Sequence, residues 1–187
     1  EHEPEIVTDI NSWDYKSAFS NNEFDIIWAS PDCSQYSKGK TFGPRDLQKA
    51  DDLVLKCLEI ITYFKPQRWV VENSDGELKN RTFMKEWNKF LHTCSYCCYG
   101  FPYRKHTNIW TNAYVNLRKC TKDTPCRYVL QASSQRAGGE QVPLHPAIAQ
   151  QGPMKSSPFQ VPMDKRFTYQ VPHKLTLQLL GSVIQDV

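Results

Sequence analysis

The clearest hydrophobic pattern in the chain is a helical repeat over residues 46–64. Its apolar positions are Leu47, Ala50, Val54, Cys57, Leu58, Ile61 and Phe64. This spacing places the apolar side chains on one face of a helix. Pro66 follows the repeat, and proline cannot continue a helix. The pattern therefore predicts an amphipathic helix that ends just before Pro66.

Short apolar runs on both sides of this helix predict strands. Residues 24–29 form a buried strand before the helix, and residues 68–72 form another after it. The other predicted elements are a short strand at 5–10, a shorter helix at 82–92, and strands at 95–99 and 108–111. Strands and helices alternating at this spacing predict an α/β fold whose sheet has right-handed parallel crossovers.

The regular pattern stops after residue 112. Residues 113–168 are rich in proline and contain Gly138-Gly139, which predicts a loop-rich region. Pro172 then begins a final helix, whose inward face carries Leu175, Leu179, Leu180 and Val183. The predicted organisation is a core at 1–112, a loop-rich region at 113–168, and a carboxy-terminal helix at 169–187 that packs back on the core.

Composition limits the classes of protein that fit. The chain has 187 residues, of which 40% are hydrophobic and 23% are charged, as expected for one soluble domain with a real core. Its apolar runs are far shorter than the roughly 20 residues of a membrane helix. Seven cysteines with no export leader fit a reducing compartment better than a disulfide framework. We therefore expect an intracellular protein.

The net charge of +3 is unevenly distributed. Residues 1–32 are mostly acidic, whereas residues 104–146 are mostly basic. The bases in the second stretch are Arg104, Lys105, Arg118, Lys119, Lys122, Arg127 and Arg136. Because Tyr103, Trp110, Tyr114 and Tyr128 lie among them, this stretch could neutralise phosphates and stack on bases. A solvated, positively charged loop is the alternative explanation.

A thiol and a carboxylate follow the two predicted strands that flank the long helix. Cys33 lies in the turn after residues 24–29, and Glu72-Asn73 ends the strand at 68–72. Open α/β sheets build their sites at the carboxyl ends of strands, so this pair predicts nucleophilic chemistry. Each residue also has a structural alternative: Cys33 as a small buried hydrophobe, and Glu72 as a salt-bridge acid.

Three segments together carry a resemblance to a known family. They are Ser30-Pro31-Asp32-Cys33-Ser34-Gln35-Tyr36-Ser37, Trp69-Val70-Val71-Glu72-Asn73 and Tyr99-Gly100-Phe101-Pro102-Tyr103-Arg104-Lys105. In order and spacing they resemble the C5-cytosine DNA methyltransferase family, in particular the compact enzymes of large DNA viruses and phages. The resemblance covers most of residues 5–112, and it implies a Rossmann-like class I methyltransferase sheet.

The resemblance also implies a reaction. Cys33 would add to C6 of a flipped cytosine, and Glu72 would hold the edge of the ring while C5 is methylated. Asn73 would fix the strand end. Arg104 and Lys105 would lie near the flipped nucleotide and its phosphate.

S-adenosylmethionine is the cofactor that the resemblance implies. Asp9 and Ile10 would lie at its adenine, Pro31 on the sulfonium side, and Leu53 on the helix against the adenine. The family's first motif, a glycine turn after the first strand, has no counterpart in this sequence. We therefore expect an amino-terminally truncated sheet, or a partner chain that supplies this motif.

The implied macromolecular partner is DNA, in the cytoplasm or nucleus of a host cell. The residues predicted to bind it are Ser37, Arg104, Lys105, Arg118, Lys119, Lys122 and Arg127. Target recognition would fall to residues 113–146. This insert is short for the family, which implies a short or loose sequence preference.

Departures from the family pattern leave other functions open. Asp32 stands next to the thiol where compact members have proline, and a negative charge there disfavours the thiolate. Tyr103 replaces a glutamine. These changes suit a catalytically inactive relative that binds nucleic acid or a partner subunit. A third alternative is methylation of RNA, since one branch of the family acts on transfer RNA.

The cysteines raise a separate question. Cys94-x-x-Cys97 or Cys98, together with Cys120 and Cys126, could form a zinc site. Cysteines packed as small hydrophobes in a core explain the first group more simply. The sequence interpretation therefore assigns no metal site.

Overall fold

A computed structural model describes residues 4–135, 141–148, 152–153 and 168–184. It is a mixed α/β structure built on a four-stranded sheet. The strands are β1 (Ile26–Ala29), β2 (Arg68–Ser74), β3 (Leu91–Ser95) and β4 (His106–Thr111), in the spatial order β1-β2-β4-β3. The helices are α1 (Tyr15–Ala18), α2 (Leu47–Phe64) and α3 (His173–Ile184). Within the described part of the chain, no helix is both long and apolar enough to cross a bilayer.

Only the first pair of strands has the predicted parallel crossover. β1 and β2 pair in parallel, from Ile26 opposite Arg68 to Ala29 opposite Val71, and α2 connects them. β2 and β3 each pair antiparallel with β4, so the prediction of parallel crossovers throughout is wrong. Residues 96–105 connect β3 to β4, and a parallel crossover needs about a dozen or more residues.

α2 confirms the long predicted helix almost residue for residue. Asp46 caps its start by accepting a hydrogen bond from the Lys49 backbone N–H at 3.1 Å. Lys65 ends it in the left-handed conformation, with φ of 48°, and donates its N–H to the Ile61 carbonyl at 3.0 Å. The helix therefore stops one residue before Pro66, as the sequence predicts.

The sheet is covered on both faces. On one face, α2 packs Val54, Leu58 and Ile61 against β2 and β4. On the other face, α3 packs Leu175 and Leu179. The predicted final helix is thus confirmed, and it begins directly after Pro172.

Three of the predicted elements are wrong. Residues 5–10 form no strand, and the side chain of Val7 is 85% exposed. Residues 82–92 form two 3₁₀ turns and the start of β3, because Asn88 bonds the Lys79 carbonyl and the Trp110 indole instead of facing solvent on a helix. Residues 96–99 form a 3₁₀ turn after β3.

The region predicted to be loop-rich contains more pairing than expected. β5 (Leu130–Gln135) and β6 (Gln141–Leu144) form an antiparallel pair, and β7 (Ala147–Ile148) pairs with β8 (Gly152–Pro153). The predicted base Arg136 and the glycine pair at 138–139 lie outside the described residues. So do residues 154–167 and the side chain of Val183. The domain boundaries at 112 and 168 stay predictions.

Candidate active site

Cys33 lies in the turn that follows β1. The turn closes with a hydrogen bond from the Tyr36 N–H to the Cys33 carbonyl at 3.1 Å, and the Cys33 side chain is half-buried. Asp32 points its carboxylate at Ser34, accepting from the Ser34 N–H at 3.1 Å and from its hydroxyl at 2.5 Å. The negative charge next to the thiol is therefore partly satisfied by Ser34.

Asn73 ties this turn to β2. Its side chain is 1% exposed, and its Nδ2 donates to the Pro31 carbonyl at 3.0 Å. Because Pro31 lies two residues before Cys33 and Asn73 directly follows Glu72, this bond joins the two predicted catalytic segments. This hydrogen bond is a contact through which Asn73 could fix the end of β2, as the sequence predicts.

Gly76 makes a second tie between the same segments. The Glu77 N–H donates to the Tyr36 carbonyl at 2.9 Å, and a Cβ at Gly76 would lie 2.2 Å from that carbonyl oxygen. Only glycine permits this close approach. The Tyr36 hydroxyl donates to Asp51 on α2 at 2.8 Å, which fixes the far side of the turn.

Glu72 is buried on the face of the sheet that α3 covers, and only 8% of it is exposed. The Tyr96 hydroxyl donates to its Oε1 at 2.9 Å, and the Lys105 ammonium lies 3.7 Å from the same oxygen. Burial and the nearby Glu72 carboxylate raise the pKa of Tyr96, so this phenol stays protonated and remains a donor. Glu72 is thus a buried carboxylate with a phenol and an ammonium group next to one of its oxygens.

The two bases of the third motif differ in placement. Lys105 lies 4.7 Å from the centroid of the Tyr96 ring and donates to the Thr168 carbonyl at 3.2 Å. Its ammonium therefore contacts Glu72 and the protein interior, whereas the sequence predicts a contact with phosphate. Arg104 donates its backbone N–H to the Ala147 carbonyl at 2.9 Å, which brings the segment around β7 next to this motif.

Three of the four predicted cofactor residues line one cavity. Ile10, Pro31 and Leu53 border it together with Trp13 and Trp28. Apart from Ser30 and Asp32, the walls are apolar or aromatic, which suits a planar adenine ring. The fourth predicted residue, Asp9, directly precedes Ile10 and has an exposed carboxylate that accepts from the Asn11 N–H at 3.0 Å.

The remaining predicted DNA contacts fall into two groups. Ser37 lies in the turn after Cys33, where its hydroxyl accepts from the Gly39 N–H at 3.1 Å. The second group is solvent-exposed on residues 118–127 and consists of Arg118, Lys119, Lys122 and Arg127. Two of these guanidinium groups stack on tyrosine rings, Arg118 on Tyr99 at 5.1 Å and Arg127 on Tyr128 at 4.7 Å.

Sequence reasoning missed the partners that hold the site together. Tyr96 donates to Glu72, Tyr36 anchors the Cys33 turn, and Gly76 allows the close contact between the two segments. Tyr96 could have been found from the sequence only by the general rule that a buried carboxylate needs hydrogen-bond donors. The prediction of a strand at residues 95–99 gave no reason to place Tyr96 next to Glu72.

The cysteines separate into two kinds. Cys94 is fully buried in the core, where burial and the nearby Glu72 raise the pKa of its thiol to about 12. The interpretation of core packing holds for this residue. Cys97 is also buried, and it lies in a Cys–His cluster of four potential metal ligands, which consists of Cys97, Cys120, Cys126 and His145.

The structure is thus an α/β protein in which the Cys33 thiol and the buried Glu72 carboxylate lie toward the carboxyl ends of adjacent parallel strands. Residues 1–109 match the family of C-5 cytosine-specific DNA methylases. The chain belongs to this family, as the three sequence motifs predict. Members of the family generally use S-adenosylmethionine.

A viral protein is similar to about half of this chain. The probable DNA (cytosine-5)-methyltransferase of Frog virus 3 (isolate Goorha) is 35% identical over 118 residues, covering 56% of this chain and 53% of the viral protein. The matched part thus spans about half the length of that relative. Its source agrees with the resemblance to compact viral enzymes.

Proposed function

We propose that this chain methylates C5 of cytosine in DNA, with Cys33 as the nucleophile and Glu72 as the residue that holds the ring. The observation that carries the proposal is the Asn73–Pro31 hydrogen bond of 3.0 Å, which couples the Cys33 turn to the strand end bearing Glu72. Family membership and the name of the Frog virus 3 relative support the same reaction.

Cys33 performs the first covalent step in this proposal. Its thiolate attacks C6 and forms an S–C6 bond, while the electron pair of the C5=C6 double bond moves toward C5. C5 then carries the nucleophilic electron pair. After methylation, loss of the C5 proton and cleavage of the S–C6 bond restore the double bond and return the thiolate.

Glu72 stabilises the ring while this electron pair develops. Its carboxyl group bonds the N3 and exocyclic amine edge of cytosine, which are inaccessible inside a duplex unless the base is flipped out. Tyr96 and Lys105 both contact Oε1, so they fix the orientation in which the carboxyl group meets the base. In this scheme both are positioning residues.

The apolar cavity provides the place for S-adenosylmethionine. Ile10 and Leu53 would hold the adenine, and Pro31, two residues before Cys33, would border the sulfonium side. When bound, S-adenosylmethionine would supply an electrophilic methyl group and would be left as the thioether S-adenosylhomocysteine.

The deciding experiment traps the covalent intermediate. DNA containing 5-fluorocytosine blocks loss of the C5 substituent, so the enzyme should stay attached in the presence of S-adenosylmethionine and form a complex that survives denaturing electrophoresis. Cys33→Ala should abolish the complex. Cys98→Ala makes the same change at another half-buried cysteine and should retain it.

Two results would contradict parts of this proposal. A complex formed equally by Cys33→Ala would exclude Cys33 as the nucleophile. A complex formed with 5-fluorocytosine in transfer RNA, and none with DNA, would move the substrate to RNA. Localisation in the host cytoplasm or nucleus belongs to the same proposal, since a DNA substrate is met in either compartment.

A further inference from the structure

The Cys–His cluster lies outside the site described above. Its ligand atoms, three cysteine sulfurs and one histidine nitrogen, all lie within 4.8 Å of one another. Cys97, Cys120 and His145 are almost completely buried, and Cys126 is partly buried. Sulfur and imidazole ligands in this number are the set that structural zinc sites use.

The distances between ligand atoms fit a tetrahedral ion. Zinc bonds of about 2.3 Å to sulfur and 2.0–2.1 Å to nitrogen place a sulfur and a nitrogen about 3.6 Å apart at tetrahedral angles. His145 Nε2 lies 3.6 Å from the Cys120 sulfur and 3.3 Å from the Cys126 sulfur. The side chains are therefore already close to the spacing that one ion would impose.

Three segments that are distant in the sequence supply the ligands. Cys97 comes from the 3₁₀ turn at Tyr96–Tyr99, directly after β3. Cys120 and Cys126 come from the loop that follows β4, and His145 lies between β6 and β7. An ion held by all of them would fasten the insert to the edge of the sheet.

Backbone contacts hold the loop of Cys120 in place next to β3. The Cys120 N–H donates to the Ser95 hydroxyl at 3.0 Å, and the Ser95 N–H donates to the Arg118 carbonyl at 3.0 Å. The Cys126 N–H in turn donates to the Cys120 sulfur at 3.3 Å. Hydrogen bonds of this kind to sulfur are the usual outer contacts of metal-bound thiolates.

The charges around the cluster favour thiolate ligands. Three thiolates and one Zn²⁺ leave a net charge of −1 at the site. Arg118, Lys119 and Arg127 line a cavity that Cys97 and Cys126 also border. Nearby positive charge stabilises the deprotonated thiols that a metal requires.

We propose that the Cys–His cluster binds one structural Zn²⁺ that fastens residues 118–127 and the β6–β7 segment to the catalytic sheet. All four positions are filled by the protein, so the site is closed and structural. Arg118 and Lys119 directly precede one ligand, and Arg127 directly follows another. The ion would thereby fix the exposed bases that the sequence predicts to contact DNA.

The test is the metal content of the whole chain. Protein purified without chelator, under reducing conditions, should contain about one zinc per chain by mass spectrometry of the metal. Cys126→Ala should lose the zinc, whereas Cys33→Ala should retain it fully. This readout does not depend on methyl transfer, so it stands apart from the test of Cys33.

Substitutions of His145 test whether this residue binds the metal or only packs in the interior. His145→Ala should lose zinc, and His145→Cys should keep it, because a fourth thiolate is also a zinc ligand. Cobalt added to the metal-free wild-type chain should give the absorption bands of a tetrahedral thiolate site, which covers the case in which a variant fails to fold. The proposal would be overturned if the folded wild-type chain took up neither zinc nor cobalt. A disulfide between two of the four ligands in protein purified under reducing conditions would also overturn it.

Discussion

The two faces of the four-stranded sheet are built in different ways. One face is covered by the single long helix α2 and has an apolar core around Val54, Ile61 and Val71, with the Asp51–Arg81 ion pair at its edge. The other face is covered by α3 and by short segments, and it buries Glu72 among Tyr96 and Lys105. Burial of apolar area stabilises the first face, whereas the second uses part of its buried volume for charged and hydrogen-bonded groups.

The face under α2 therefore contributes mainly to stability, whereas the face under α3 carries the proposed catalytic carboxylate. The apolar side chains under α2 form the core, and the buried Asp51 carboxylate on this face is paired with Arg81. The turns on the α3 face can position hydrogen-bond donors around the Glu72 carboxylate. We therefore expect substitutions on the two faces to affect different measurements.

Glu72→Gln should give the largest effect on activity. The amide still accepts the Tyr96 hydrogen bond but cannot act as an acid or carry the charge, so the methylation rate should fall about 10³-fold. The melting temperature should stay within a few degrees of wild type. Glu77→Gln changes an exposed carboxylate just after the same strand and should leave both quantities unchanged. Equal rates for the two variants would refute the role of Glu72.

Ile61→Ala should lower stability and leave the methylation rate nearly unchanged. Ile61 is 3% exposed on α2, so truncation leaves a cavity and should lower the free energy of unfolding by about 3–4 kcal/mol. The rate per folded molecule should change little at low temperature. Leu55→Ala removes a side chain on the same helix that is 43% exposed and should cost far less in denaturant titration. A loss of activity without a loss of stability in Ile61→Ala would break the comparison.

Acid should destabilise the protein through His106. Burial, with the nearby charges of Arg104 and Lys119, lowers the pKa of His106 to about 4. The unfolded chain takes up this proton near pH 6.5 and the folded chain only near pH 4, so stability present above pH 6.5 is lost as the pH falls toward 4. The loss from this group is up to about 3 kcal/mol.

His106→Gln is the variant that tests this pH dependence. Glutamine does not titrate and can still bond the Ser95 hydroxyl, which lies 2.7 Å from the His106 ring. Unfolding midpoints in urea measured from pH 4 to pH 7 should therefore vary less in the variant than in wild type. Identical pH profiles would show that another group carries the acid sensitivity.

Asn73→Ala should give the smallest of these effects. It removes the bond to the Pro31 carbonyl and loosens the Cys33 turn, so kcat should fall about tenfold. Asn112→Ala removes side-chain bonds to the Trp69 N–H and the Gln67 carbonyl, near the opposite end of β2. That control should lower stability and leave kcat unchanged. If both asparagines affected kcat alike, Asn73 would have no special positioning role.

The predictions from sequence succeeded where structure is local. Residues 47–64 form a helix because their apolar spacing, the Asp46 cap and the Lys65 stop all act within a few residues. The strands at β1, β2 and β4 follow from short apolar runs in the same way. The three predicted cofactor residues around one cavity came from the family resemblance, since periodicity alone says nothing of a ligand.

The failures occurred where distant contacts decide the structure. Residues 82–92 have helical spacing, but the side chain of Asn88 bonds Lys79 and Trp110 and divides the segment into 3₁₀ turns. The antiparallel placement of β3 depends on the short connection to β4. The strand predicted at residues 5–10 has no neighbour to pair with in the described structure, and Val7 faces solvent.

The sequence by itself determined the long helix, the strands next to it, and the order of the motifs that carry Cys33 and Glu72. Each of these depends on residues close together in the chain. Only the tertiary structure decided that Tyr96 and Lys105 would share one oxygen of Glu72, and that His145 would join three cysteines. Such clusters are set by how the sheet and its loops pack, because their members are separated by tens of residues and no local pattern relates them.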